Sequence, residues 1–473
     1  MTVANLTANL ADRVRAATGE NVFLCYQCLR CTSGCPVAEY FDLTPNQVLR
    51  ALQLGLDEQV LDAKTPWLCA ACQTCTTRCP QELDVAGIMD ALASIALEDG
   101  REPGVPEAAL FNKVFLRNVD LFGRLYELGL VTEMNLRTGH PFRDVGTGLQ
   151  MIRKGKMKLL PEVMWQSPAA DGTAPRSRPN QIAYYPGCSL HSTGVEFDRS
   201  ARAACDALNL ELVEPDGWVC CGASSAHRVD SDAAIRLPME SLAIIENSGF
   251  HDAALPCAAC FSRFRTAQHE MKRDARLRAR VGARVGFGAG MGVAVQSLLD
   301  VVVKRVGLDA VRDRVTQPLH GLTVACYYGC LLTRPPEVTG ADDPENPMTM
   351  DRLLDALGAT VVDWGHKVAC CGASLSLTNT EIVLDLSARI LNGARESGAA
   401  AVVVACPLCH ANLDGRQHQM QLDAIGPSGG GAIPILYFTQ LMALAFGLDE
   451  EATVFSKNMV DARPLLAELS LLR

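Results

Sequence analysis

The sequence predicts a multidomain protein in which an α-helical N-terminal domain precedes two homologous α/β domains, each built on a parallel sheet. Three observations predict it. Twenty cysteines fall into four groups along the chain. Apolar residues recur at helical spacing around the first two groups. From residue 181 onward one pattern of strands and helices is stated twice. At roughly 150 residues per domain, a chain of 473 residues holds three such units.

Composition narrows the function classes. With 48% hydrophobic and 20% charged residues the chain reads as globular. A net charge of −10 argues against nucleic acid as a partner. No apolar run reaches the roughly 18 residues a membrane span needs. Asp12, Arg13, Arg15 and Glu20 stand where a secretory signal would carry its apolar segment. The expected location is the cytoplasm, with the membrane reached only through a partner. In a reducing compartment so many cysteines serve metals rather than disulfides.

Residues 1–166 form the predicted helical domain. Val48, Leu49, Leu52 and Leu56 share one helical face, as do Val85, Ile88, Met89, Leu92, Ile95 and Ala96. Within this domain Cys25, Cys28, Cys31 and Cys35 precede Pro36, and Cys69, Cys72, Cys75 and Cys79 precede Pro80. Each run is C-x2-C-x2-C-x3-C-P, the bacterial ferredoxin pattern for a [4Fe–4S] cubane. Three thiolates on successive short turns cap three iron corners, and the fourth arrives from the other run. The expected sets are therefore Cys25, Cys28, Cys31 and Cys79, and Cys69, Cys72, Cys75 and Cys35. Zinc, the competing metal, has little use for a third and fourth evenly spaced thiolate.

Residues 167–180, SPAADGTAPRSRPN, read as a linker. The first α/β domain spans 181–317, the second 318–450, and 451–473 form a C-terminal tail. Ala183-Tyr-Tyr-Pro-Gly-Cys188 matches Ala325-Cys-Tyr-Tyr-Gly-Cys330. Val219-Cys-Cys-Gly matches Ala369-Cys-Cys-Gly, and Cys257-x2-Cys260 matches Cys406-x2-Cys409. Strands are expected near 181–186, 210–214, 253–256 and 292–295, and near 322–328, 360–364, 400–405 and 432–437. Each cysteine element follows a strand, so two five-thiol sets gather at the carboxyl edges of the sheets, where open α/β sheets bind ligands. These are Cys188, Cys220, Cys221, Cys257 and Cys260, and Cys330, Cys370, Cys371, Cys406 and Cys409. Five thiolates exceed what one zinc or one cubane accepts. Cys205 and Cys326 fall outside both sets and are expected to pack.

On these residues the chain resembles the fused catalytic subunit of heterodisulfide reductase, with two CCG domains. The family spacing C-x31–39-CC-x33–38-C-x2-C is met twice, with 31 and 35 intervening residues in the first repeat and 39 and 34 in the second. The resemblance implies a noncubane four-iron cluster on each five-cysteine set. It also implies a disulfide substrate between them, reduced to two thiols or formed in reverse, and two cubanes that feed the electrons. A disulfide takes two electrons and a cluster passes one, so a pair of clusters fits the count.

His227 and His410 are candidate proton donors to the leaving thiolates. Lys154, Lys156 and Lys158 read as a solvated helix face or a dock for an acidic partner. Arg334 opens an insertion, residues 334–348, that reads as a solvated loop or a contact for a substrate anion. The Gly-rich stretch Gly286 to Gly292 lacks G-x-G-x-x-G spacing, so no flavin or nicotinamide is expected in this chain. The electrons then come from a partner subunit, a flavoprotein or a membrane cytochrome. The rival reading is an electron-relay subunit of a glycolate or lactate oxidase, or of a membrane-linked redox complex, where another subunit does the chemistry.

Overall fold

The computed structural model describes residues 9–161, 178–286, 290–420 and 431–472. The linker expected at 167–180 lies outside them except for its last three residues, and so does the centre of the Gly-rich stretch. Two four-stranded sheets organise the C-terminal two thirds, in the orders β2-β1-β3-β4 and β6-β5-β7-β8. The strands are β1 (Gln181–Tyr184), β2 (Glu211–Val213), β3 (Asp252–Leu255) and β4 (Ala294–Ser297), then β5 (Thr323–Tyr327), β6 (Thr360–Val361), β7 (Ala401–Val404) and β8 (Ile435–Tyr437). Every pairing is parallel. Parallel strands are covered by helices on both faces, which is why β7 reads Ala-Val-Val-Val with all four residues buried.

The longer helices are α1 (Leu10–Thr18), α2 (Pro45–Gln53), α3 (Val85–Glu98), α4 (Pro106–Phe122), α5 (Glu127–Arg137) and α6 (Val145–Arg153) in the N-terminal part. The repeats add α7 (Val195–Ala207), α8 (Ser231–Asn247) and α9 (Ala258–Arg273), then α10 (Thr349–Ala356), α11 (Thr380–Glu396), α12 (Pro407–Gly415) and α13 (Phe438–Ala445). Local chemistry sets their ends. Thr44 and Gln47 form a capping box ahead of α2, whose first residue is Pro45. Val48, Leu49 and Leu52 and the predicted face Val85–Ala96 are buried in one core shared by α1, α2 and α3, whereas Leu56, expected on the same face as Val48, lies past the end of α2 and is exposed.

Tertiary packing departs from the chain order in two places. Val114, Phe115 and Val119 of α4, with Leu130 and Met134 of α5, pack on Cys220, Ala226, Ala233 and Leu237 of the first repeat rather than on the cysteine-run core. Both repeats then share one continuous core, which also takes Phe455, Ala462 and Leu466 from the C-terminal tail.

Candidate iron–sulfur and substrate site

In the N-terminal runs, Gln27 and Leu29 have φ of 62° and 67°, and Ala71 and Gln73 at the matching positions have 51° and 60°. Four non-glycine residues in left-handed backbone are costly, and they recur where successive thiols must turn toward one point. Cys35 lies beside Cys72 and Cys69, and the Cys75 thiol has Cys69, Cys72 and Cys35 as neighbours. Cys79 packs, with Cys25 and Cys69, against the core that contains Cys31 and Cys75. The second run is thus joined by the last cysteine of the first.

Each repeat gathers its thiols as its strands dictate. In the first, Cys221 and Cys260 sulfurs are 3.3 Å apart; in the second, Cys371 and Cys409 are at 3.7 Å and Cys330 and Cys370 at 4.0 Å. All twenty cysteines are free thiols. Backbone N–H groups point at the sulfurs: Leu125 donates to Cys188 at 3.3 Å, Ala223 to Cys221 at 3.4 Å and Gly372 to Cys370 at 3.3 Å. Such bonds tune iron–sulfur ligands.

The glycine before the first thiol has the same job in both repeats. Gly187 and Gly329 both sit at φ +72°, and a Cβ on either would stand 3.0 Å from the sulfur of Cys260 or Cys409. The soft, clustered, unoxidised donors and the cradle kept clear beside them fit an iron–sulfur group. Gly187→Ala is expected to fold yet lose iron from the first set alone, read as a drop of about one four-iron cluster per chain by anaerobic iron analysis.

The two sets are not equivalent in their surroundings. Cys257 of the first faces Cys406 of the second across the boundary between repeats. Cys370 of the second also faces Cys72 of the N-terminal domain, and this contact draws the Cys72 thiol down to about 6. Leu68, Ala70 and Val37 seal that side with Leu375, Val383 and Leu386. The loop around Cys69 is pinned from both repeats. Arg228 donates to the carbonyls of Trp67 and Cys69, and Ser374 to that of Ala70.

Arg334 is part of the same clamp and is 2% exposed, neither solvated nor open to substrate. It donates to Thr74 Oγ1 at 2.8 Å and to the Val368 carbonyl at 3.1 Å, and pairs with Glu345 at 3.0 Å. Glu345 also meets Arg78, so the insertion fastens the second repeat to the cysteine runs.

The free space lies on the other side. A cavity of about 270 Å³ has Cys188, Cys220, Cys221, Cys257 and Cys260 as its floor and Phe111, Phe115, Leu130, Val131, Met151 and Met459 among its walls. A smaller one, about 50 Å³, holds Cys330, Cys370, Cys371, Cys406 and Cys409. Glu127 reaches the larger cavity with its carboxylate held by Ser192 Oγ at 2.5 Å and Thr193 Oγ1 at 3.0 Å, and burial raises it to about 7. Spacing alone gives no signal for Glu127, because nothing around it in sequence is a motif.

Both candidate histidines are buried, and burial holds both below the usual histidine range. His227 Nδ1 lies 2.7 Å from Asp90 Oδ2. His410 Nε2 points at the Ile435 carbonyl, 3.2 Å away, and its ring stacks on Tyr437 at 4.3 Å. Each imidazole is fixed by its partner, which fits a positioning role. The lysine stretch is likewise no free face. Lys156 is 2% exposed and pairs with Glu196 at 2.5 Å, and Lys154 donates to the carbonyls of Ser456 and Asn458. Cys205 and Cys326 lie apart from the sets, Cys205 buried in α7 and Cys326 facing Asp351.

The cysteine-rich domain family matches residues 182–265 and 324–414, and the 4Fe–4S dicluster domain family matches 24–84. The 8-methylmenaquinol:fumarate reductase membrane anchor subunit of Wolinella succinogenes is 31% identical over 60% of this chain and 99% of its own length. The B-type subunit of the ferredoxin:CoB-CoM heterodisulfide reductase of Methanosarcina mazei is 25% identical over 61% of this chain and 97% of its own. The chain belongs to the heterodisulfide reductase B/C family. Its C-type half is similar to a C-type iron-sulfur subunit of the CoB–CoM heterodisulfide reductase of Methanocaldococcus jannaschii, at 38% identity over 20% of this chain and 53% of that one. A hypothetical protein of Helicobacter pylori, known from its crystal structure, shares the fold, with a TM-score of 0.60 over 95% of this chain and 74% of that chain at 10% identity. A C-type half precedes a B-type half here in one polypeptide, and the whole is an iron–sulfur oxidoreductase.

Proposed function

We propose that this chain reduces an organic disulfide to two thiols, or runs the reverse, at the paired five-cysteine sets. The observation that carries the reading is the cavity floored by the first set, with the second set directly behind it across Cys257 and Cys406. The thiols would hold two cubane and two noncubane [4Fe–4S] clusters, which supply one-electron transfer and iron for sulfur to bind.

The balance is RSSR′ + 2 e⁻ + 2 H⁺ → RSH + R′SH, so the site must supply protons while keeping bulk water out. The apolar walls from α4 and α5 exclude water. Glu127, poised near neutrality, is placed to give a proton to a leaving thiolate, and Asp414, raised by burial to about 6, lines the same cavity.

Electrons enter at the opposite end. Cys28 is the one exposed cysteine of the twenty, and Phe23, Leu24, Tyr26 and Leu29 around it are exposed. Gln53 ties this turn to α2 through the carbonyls of Val22 and Cys25. A redox partner subunit docks on that apolar collar, and the route then passes Cys72 to Cys370. Leu29→Glu is expected to slow turnover driven by the partner about tenfold or more, as for loss of a buried apolar anchor, while leaving turnover driven by a small dye unchanged.

The test is anaerobic protein containing about 16 irons per chain, as four four-iron clusters require, supplied with reduced viologen and a panel of organic disulfides. Oxidation of two viologens with release of two thiols per disulfide supports the proposal. Fully loaded protein that accepts electrons yet reduces no disulfide refutes it. It would then favour the relay reading, which the name of the Wolinella membrane anchor subunit supports.

A further inference from the structure

We propose that Arg263 sets the direction of electron flow between the two five-cysteine sets, by holding the first at a higher reduction potential than the second. The inference rests on the reading that both sets carry four-iron clusters, and it concerns the charge that this chain places beside them.

The two repeats differ at one equivalent position. Cys257-x2-Cys260 is followed three residues later by Arg263, and Cys406-x2-Cys409 by Asn412. Each stands on the helix that opens at its C-x2-C pair, α9 or α12, where residues three apart share a face. Asn412 shows what the position reaches, since its amide donates to the Cys371 carbonyl at 3.1 Å and to the Cys371 sulfur at 3.6 Å. Asn412 is neutral. Arg263 brings a full positive charge to the matching place, and Cys221, the counterpart of Cys371, is among the groups on which that charge acts.

The charge has no partner at contact distance. Arg263 is 8% exposed, lines the smaller cavity beside Ala258 and Ala259, and makes no hydrogen bond or ion pair among the described residues. The acids that act on it from farther away, Asp90 and Asp84, are already engaged. Asp90 holds His227 at 2.7 Å and Arg228 at 3.5 Å, and Asp84 accepts from Thr76 Oγ1 at 2.8 Å and from the Gly87 N–H at 2.9 Å. The lysine and the other arginine that line the two cavities are neutralised in place, Lys156 by Glu196 and Arg416 by Asp144. So are Lys367 and Arg334 of the second repeat, by Asp351 at 2.7 Å and Glu345 at 3.0 Å.

A buried guanidinium stays charged and is costly without an anion. Thiolate-held iron and sulfide supply one, and a fixed cation beside them favours the reduced, more negative state. Transfer of one electron from the second set to the first is then downhill: the second is oxidised, the first is reduced, and no bond or proton moves. The route that passes Cys72 and Cys370 thereby ends at the set beneath the larger cavity.

The test is potentiometry of the full iron-loaded chain, anaerobic, with mediator dyes and no disulfide, followed by paramagnetic resonance. The signal absent from Cys221→Ser belongs to the first set. In the parent the first set should take its electron at the higher potential. Arg263→Asn, which gives the first repeat the residue of the second, should lower the equilibrium constant for transfer from second to first at least tenfold, about 59 mV for one electron. Arg263→Lys keeps the charge and should stay nearer the parent, which a packing role alone would not produce. If asparagine costs iron, Arg263→Gln, closer in size, is read in the same way. The proposal is overturned by a reversed order in the parent, by an iron-loaded neutral variant with an unchanged gap, or by a lysine variant whose gap narrows as much as that of asparagine. A parent that binds only about eight irons overturns it together with the function it rests on. A gap that responds to Arg263 in a protein that reduces no disulfide refutes that function alone and leaves this proposal standing.

Discussion

Cys221→Ser and Cys371→Ser, one from each repeat, are each expected to lower disulfide reduction more than about a hundredfold, since losing even an outer-sphere partner of a metal centre costs 10–100-fold. Both sulfurs sit in the close pairs of their sets, Cys221 with Cys260 and Cys371 with Cys409. Neither touches the cysteine runs near the N-terminus, so those clusters should still take electrons from a dye and keep their spectrum. The two variants should differ in how far electrons travel. Cys371 belongs to the set that faces Cys72, so its loss interrupts the route before the boundary at Cys257 and Cys406. Cys221 lies beyond it, so Cys221→Ser should leave the second set reducible. Rapid-freeze paramagnetic resonance after mixing with reduced dye distinguishes the two, and equal behaviour would contradict the order of transfer.

Lys156→Ala is expected to destabilise the fold by about 3–5 kcal/mol, the cost of leaving a buried charge without its partner. Its ammonium meets Glu196 at the start of α7, where neither side chain reaches water. Glu196 Oε2 has no hydrogen-bond partner among the described residues, so the lysine is its main compensation. The double change Lys156→Met with Glu196→Leu should restore most of the loss, because a buried ion pair exchanged for apolar groups of similar size is often neutral. Denaturant unfolding of the three variants measures this, and a single variant as stable as the parent would refute the pairing. Lys156 also lines the cavity beside His410, so the pair is expected to hold the cavity wall to the second repeat.

Much of this architecture is legible in the chain alone. The eight strands stand where alternating apolar runs and cysteine elements put them, because parallel strands buried on both faces leave a strong apolar signature. The repeat carries the site with it, since each thiol group follows a strand and parallel strands deliver them to one edge. Lysines spaced two apart read as a solvated face because exposure is the usual fate of lysine. Lys156 contradicts this through a carboxylate forty residues away in sequence. Arg334 departs from its expected solvation for the same reason, its partner Thr74 lying 260 residues away in the N-terminal domain.

The sequence by itself determined the fold class and the repeat with its two cysteine-rich regions, since these depend on local periodicity and on cysteine spacing along one chain. Only the tertiary structure decided which five-thiol group has the larger cavity over it. The thiol sets are alike, but helices α4 to α6 wall a cavity over the first, while Cys72 and the insertion clamp close over the second. That difference arises from contacts between segments hundreds of residues apart, and packing across such distances leaves no period in the chain.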